Sequence, residues 1–176
     1  ISIDGKFDEW NGILPVFTSG TRSPKARNLA IEKAYLAVDE KNLYMRLDIK
    51  DVTPSSLLHP YNFDTYHYSV YGMNLKRGVY NLQVQLYYDT GASRWFALIQ
   101  RYTNRRWEPI DRTQGNYAMT GPRLEALFPL EPIKKYLGIV GTGGDLFVSA
   151  FTGYSDSNWK WVQGSGDGTG TKLLTF

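Results

Sequence analysis

A chain of 176 residues, 42% hydrophobic and 21% charged, is long enough to bury a substantial core and has a globular composition, which excludes intrinsic disorder. Its net charge is only +3, so it lacks the strong basic field that marks nucleic-acid binders. The absence of cysteine excludes disulfides, thiolate zinc sites and thiol nucleophiles, and no stretch is long and apolar enough for a membrane-spanning helix.

In chain order, Ile1-Ser2-Ile3 reads as an opening strand, as at the start of a mature or excised segment. The Asp4-Gly5 turn and the Asp8-Glu9-Trp10 run follow it, and Trp10 reads as a core ring. Ala34–Val38 and Leu43–Lys50 alternate with period two around the turn Asp39-Glu40-Lys41-Asn42, which predicts a β-hairpin. Leu43, Met45, Leu47 and Ile49 share one face of its second strand; Tyr44, Arg46, Asp48 and Lys50 share the other.

Thr65–Tyr71 and Tyr80–Asp89 are further strands, the latter with Leu82, Val84, Leu86 and Tyr88 inward. Gln83, Gln85 and Tyr87 fall on its polar face, where amides can bond hydroxyls without burying charge. Arg94–Arg101 carries Trp95, read as core beside Ala97 and Ile99. Arg101, Arg105 and Arg106 flank the turn Thr103-Asn104 and read as solvated charges, and Trp107 is left undecided between core and surface.

Arg106–Ile110, Tyr117–Thr120, Leu124–Phe128, Asp145–Thr152, Lys160–Gln163 and Lys172–Phe176 complete the strands. One helix is expected near 132–137, with Pro132 in its first turn and Gly138 stopping it. The expectation is an all-β, two-sheet antiparallel sandwich of jelly-roll type, residues 1–176 forming one domain.

The aromatic complement, 13 Tyr, 8 Phe and 5 Trp, exceeds what a core of this size easily hides. Ser155-Asp156-Ser157-Asn158-Trp159-Lys160-Trp161 is the foremost binding candidate. Indoles pack against the C–H face of a pyranose, while Asn158 and its polar neighbours meet the hydroxyls. Trp159 and Trp161 read equally as core rings closing the end of the sandwich. Asp4, Asp8 and Glu9 in one turn, with Asp39, Glu40 and Asp51 at the ends of the hairpin, form the candidate calcium ligands, since Ca²⁺ takes about 6–8 oxygens from such loops. No metalloprotease, nucleophile-elbow or phosphate-loop motif occurs, so no catalysis is expected.

Three segments in order, Ile1–Trp10, Ala34–Asp51 and Leu124–Leu130, resemble the family 9 carbohydrate-binding modules and the wider DOMON-like sandwiches. The resemblance implies a non-catalytic, extracellular, sugar-binding domain that is appended to other domains of a polysaccharide-degrading enzyme and carries structural calcium. It implies an aromatic clamp from a first loop, here Tyr61 and Phe63 in place of Trp, and a C-terminal Trp. His67 stands where the family often has Glu. Starch or pullulan and β-glucan or xylan are equally compatible targets. Two other readings stand beside this one. One is a haem-binding electron-transfer domain, whose ligands would come from Met45, Met73, Met119, His59 and His67. The other is a structural spacer. Nucleic acid and membrane insertion are not expected.

Overall fold

The structure is a computed structural model that describes residues 1–19, 29–50, 68–89, 92, 94–113, 116–140, 144–156, 158, 161 and 166–175. Among sequence-derived assignments, Asp51, His59, Tyr61, Phe63, His67 and Trp159 lie outside these residues, as does most of Lys160–Gln163.

The strands are β1 (Ile31–Val38), β2 (Asn42–Ile49), β3 (Tyr68–Arg77), β4 (Tyr80–Asp89), β5 (Arg94–Thr103) and β6 (Arg106–Thr113). They are followed by β7 (Tyr117–Thr120), β8 (Arg123–Pro129), β9 (Asp145–Ser155) and β10 (Lys172–Thr175), with the helix α1 (Leu130–Leu137) between β8 and β9. All pairings are antiparallel, in a four-stranded sheet of order β1-β2-β8-β7 and a six-stranded sheet of order β10-β9-β3-β4-β5-β6. The expected two-sheet sandwich with one short helix is thus observed.

Strict alternation sends every second residue into the space between the sheets. Leu43, Met45, Leu47 and Ile49 of β2 meet Tyr71, Met73 and Leu75 of β3 and Leu82, Val84 and Leu86 of β4, all essentially fully buried. Trp95, Ala97 and Ile99 belong to the same core, as expected for Trp95. Met45 and Met73 are also held there, where packing accounts for them. Helix α1 closes one end with Leu130, Ile133 and Leu137. Its first-turn Pro132 forfeits no intrahelical bond, and Gly138 ends it in the left-handed conformation at φ 63°.

The amino-terminal segment differs from expectation. Ile1–Ile3 forms no strand; its side chains pack against a second, small core of Phe7, Trp10, Tyr35 and Tyr44 on the outer face of the four-stranded sheet. An extended segment alternates whether or not it joins a ladder, so its pattern alone is ambiguous. The segment is tethered by Glu125, which is fully buried. The Glu125 carboxylate accepts the backbone N–H groups of Asp4 (3.0 Å) and Gly5 (2.8 Å), and the Trp10 indole N–H (3.0 Å). Arg46, nine-tenths buried, lies over the rings of Phe7 and Tyr35 and makes a bidentate pair with Asp48 at 2.8 and 3.0 Å. The second face of β2 is therefore covered, not open.

Candidate functional site

The outer face of the six-stranded sheet carries a recess of about 620 Å³, within the size range of small-molecule sites. Alternation again decides its walls, because the residues between the core positions of β3, β4, β5 and β9 point outward. Register aligns Ser149 of β9, Asn74 of β3, Gln83 of β4 and Gln100 of β5 in one row across the sheet. The next row is Phe151, Gly72, Gln85 and Leu98, and the one after it is Gly153, Val70, Tyr87 and Phe96.

The first row is a continuous chain of side-chain hydrogen bonds. Gln100 Nε2 donates to Gln83 Oε1 at 2.6 Å, Gln83 Nε2 to Asn74 Oδ1 at 2.8 Å, and Asn74 Nδ2 to Ser149 Oγ at 3.1 Å. Gln100 Nε2 also approaches Gln85 Oε1 at 3.4 Å. Each primary amide has two N–H donors and an oxygen with two lone pairs, so the chain leaves hydrogen-bonding capacity on every member.

Aromatic groups bound the recess on both sides. Trp161, 44% exposed, is bridged to Ser155, and its ring lies flat over Gly153 with an edge contact to Phe151 at 6.0 Å. A Cβ on Gly153 would stand 2.0 Å from the indole, so the ring occupies the space that any other residue there would fill. Trp107, 37% exposed, lines the recess from β6 beside Pro109 and packs against Tyr102 at 5.2 Å. Between them, Val70, Tyr87, Phe96 and Leu98 make a small buried cluster, with Tyr87 and Phe96 stacked at 5.1 Å. Gly72 is required in this floor, because a Cβ would meet the Val84 carbonyl at 2.6 Å and Phe151 at 2.8 Å.

No charged side chain lines the recess among the described residues. Ser155, buried at its rim, has a hydroxyl with no hydrogen-bond partner among them. Near the β5–β6 turn, Arg101 and Arg106 are engaged by Glu108, which accepts from both Arg106 (2.9 Å) and Arg101 (3.2 Å). The Arg106 guanidinium, seconded by Arg101, lowers the Glu108 carboxyl below its ordinary pKa.

The structure thus brings together Gln83, Gln85, Tyr87 and Trp161 of the sequence-derived candidates. Gln85 and Tyr87 are buried in the floor, not open to solvent. Asn158 is exposed in a tight turn, its N–H bonded to Asp156 Oδ1 at 2.9 Å, and does not line the recess. Trp107, Asn74 and Gln100 were not singled out by the sequence as binding residues, although the positions of Asn74 and Gln100 follow from the alternation of β3 and β5.

Of the expected calcium ligands, Asp4, Asp8, Glu9, Asp39 and Glu40 are among the described residues and Asp51 is not. Asp4 Oδ1 accepts the Lys6 N–H and Asp4 also pairs with the Lys6 ammonium at 3.6 Å, while Asp8 and Glu9 begin a 3₁₀ turn (Asp8–Trp10). Asp39 is committed to the hairpin turn, accepting from the Lys41 and Asn42 N–H groups and the Tyr44 hydroxyl; the Tyr44 bond is the main cause of its lowered pKa. Among the described residues no three Asp, Glu or His side chains are placed to hold a metal ion. The Asp4-Gly5 turn is braced by Glu125. With calcium bound as the sequence reading expects, thorough chelation should lower the melting temperature and calcium should restore it; an unchanged melting curve would remove the ion.

No described helix is long and apolar enough to cross a membrane. Comparison with known protein families finds no match, and no curated protein matches in sequence. Among solved structures, the chain is similar to a carbohydrate binding module family 9 (CBM9) from Caldicellulosiruptor kristjanssonii in complex with glucose, at 14% identity and a TM-score of 0.46, over 92% of this chain and 78% of that one.

Proposed function

We propose that the outer recess of the six-stranded sheet binds a neutral carbohydrate and that the domain performs no chemistry on it. The observation that carries this reading is the uncharged amide row Asn74–Gln83–Gln100 beside two exposed indoles. Sugar hydroxyls both donate and accept, and so do primary amides; an ionic ligand would need a countercharge. The flat C–H faces of a pyranose match Trp161 and Trp107. A glycosidase would need two carboxylates about 5–10 Å apart, whereas the described lining is amide, hydroxyl, aromatic and aliphatic. The same reading makes the domain an accessory to an extracellular polysaccharide-degrading enzyme, with α-glucan, β-glucan or xylan as target.

The test is affinity electrophoresis against starch, pullulan, mixed-linkage β-glucan, xylan and an anionic polysaccharide. At least one neutral polymer should retard the protein, and the anionic one should not. Raising the salt from ~0.05 M to ~0.5 M, which shortens the Debye length severalfold, should leave that retardation unchanged. Retardation by no neutral polymer would return the domain to the spacer reading, and a Soret band on the purified protein would replace sugar with haem.

A further inference from the structure

A second, smaller recess of about 300 Å³ adjoins the first and shares Asn74 and Trp107 with it. It continues over Lys76, Tyr102, Phe147 and Ser149, so the amide row is the middle of a groove, not its end. On β9 the groove runs from Ser155, beneath Trp161, to Phe147. These two residues are eight apart, about 26 Å at the rise of a strand. Exposed rings stand along it: Trp161 at one extreme, Trp107 where the two recesses join, and Tyr102 and Phe147 at the other extreme, 41% and 48% exposed. A single pyranose cannot reach from Trp161 to Phe147.

We infer, on the carbohydrate reading above, that the ligand is an extended oligosaccharide segment lying along this groove, with Trp107 as a second stacking platform distinct from Trp161. Trp107 is held for that role by Tyr102 on one side and by the β5–β6 hairpin, whose turn residues Asn104 and Arg105 take positive φ values of 51° and 63°. Such a tight two-residue turn fixes the register that sets Trp107 opposite Tyr102.

The experiment is calorimetric titration of the full chain with a length series, from monosaccharide to hexasaccharide, of whichever neutral glycan retards it. Wild type, Trp107→Ala, Trp107→Phe and Trp161→Ala are compared. Affinity should rise with length by about tenfold or more, taking stacking on a sugar face as comparable to stacking on a base. Trp107→Ala should remove that gain for the long oligomers, and Trp107→Phe should restore most of it. Equal affinities along the series, with Trp107→Ala indistinguishable from wild type, would overturn the extended groove and leave the sugar site itself standing. Absence of binding to every glycan by the wild type would overturn the carbohydrate reading and this inference together.

Discussion

Glu125→Ala should destabilise the domain by about 3 kcal/mol or more, the largest loss expected of any exchange outside the main core. The side chain is fully buried and serves three donors, the Asp4 and Gly5 amides and the Trp10 indole. Removing it leaves these groups without their acceptor, at about 1–3 kcal/mol for each that stays buried. For a chain of this length each kcal/mol is worth roughly 2–4 °C, so the melting temperature should fall by about 6–12 °C. Glu125→Gln should also be costly, since its NH₂ would face one of the same donors. Combining it with Trp10→Phe, which removes the indole N–H, should relieve part of that conflict and make the pair non-additive. Glycan affinity per folded molecule should stay constant in all of these variants, because the tether sits on the opposite sheet. A melting temperature within about 1 °C of wild type would show that the amino-terminal segment is not held through Glu125.

Trp161→Ala should cost about 1–3 kcal/mol of glycan affinity, tenfold or more, with little change in stability. The ring is 44% exposed and rests on Gly153, so its removal uncovers little core. Gly153→Ala makes the same point without deleting the ring. Its Cβ would lie 2.0 Å from the indole, and since the ring is the movable partner, it must leave its seat. The two variants should therefore lose similar affinity while one of them still contains the tryptophan. Strong destabilisation in Trp161→Ala with unchanged affinity per folded molecule would make this ring structural.

Most of the sandwich was legible because its strands bury one face and expose or cap the other. Leu43, Met45, Leu47 and Ile49, and likewise Leu82, Val84, Leu86 and Tyr88, specify both strand and register, since a one-residue slip would reverse every side chain. Pro132 and Gly138 bracket the helix by local chemistry. What sequence could not deliver was non-local. Glu125 lies 115 residues from Trp10, and nothing in Leu124-Glu125-Ala126 announces a buried carboxylate. Acidic residues in turns read alike whether they bind an ion or cap their own backbone, as Asp39 does here. Trp107 was undecidable because β6 is an edge strand with a register shift opposite Ile99 and Gln100, where strict inside-outside alternation fails.

The amide row has a collective property that none of its members has alone. Each NH₂ is given to the next oxygen, so turning one amide end for end would set donor against donor or oxygen against oxygen at its neighbours. Gln100, Gln83 and Asn74 must reverse together or not at all. Freezing a glutamine side chain costs up to about 1.5–2 kcal/mol of rotamer entropy, and here that loss falls on folding, before any ligand arrives. An incoming sugar meets donors and acceptors already pointing one way across the sheet, so the protein has no amide left to orient when the ligand arrives.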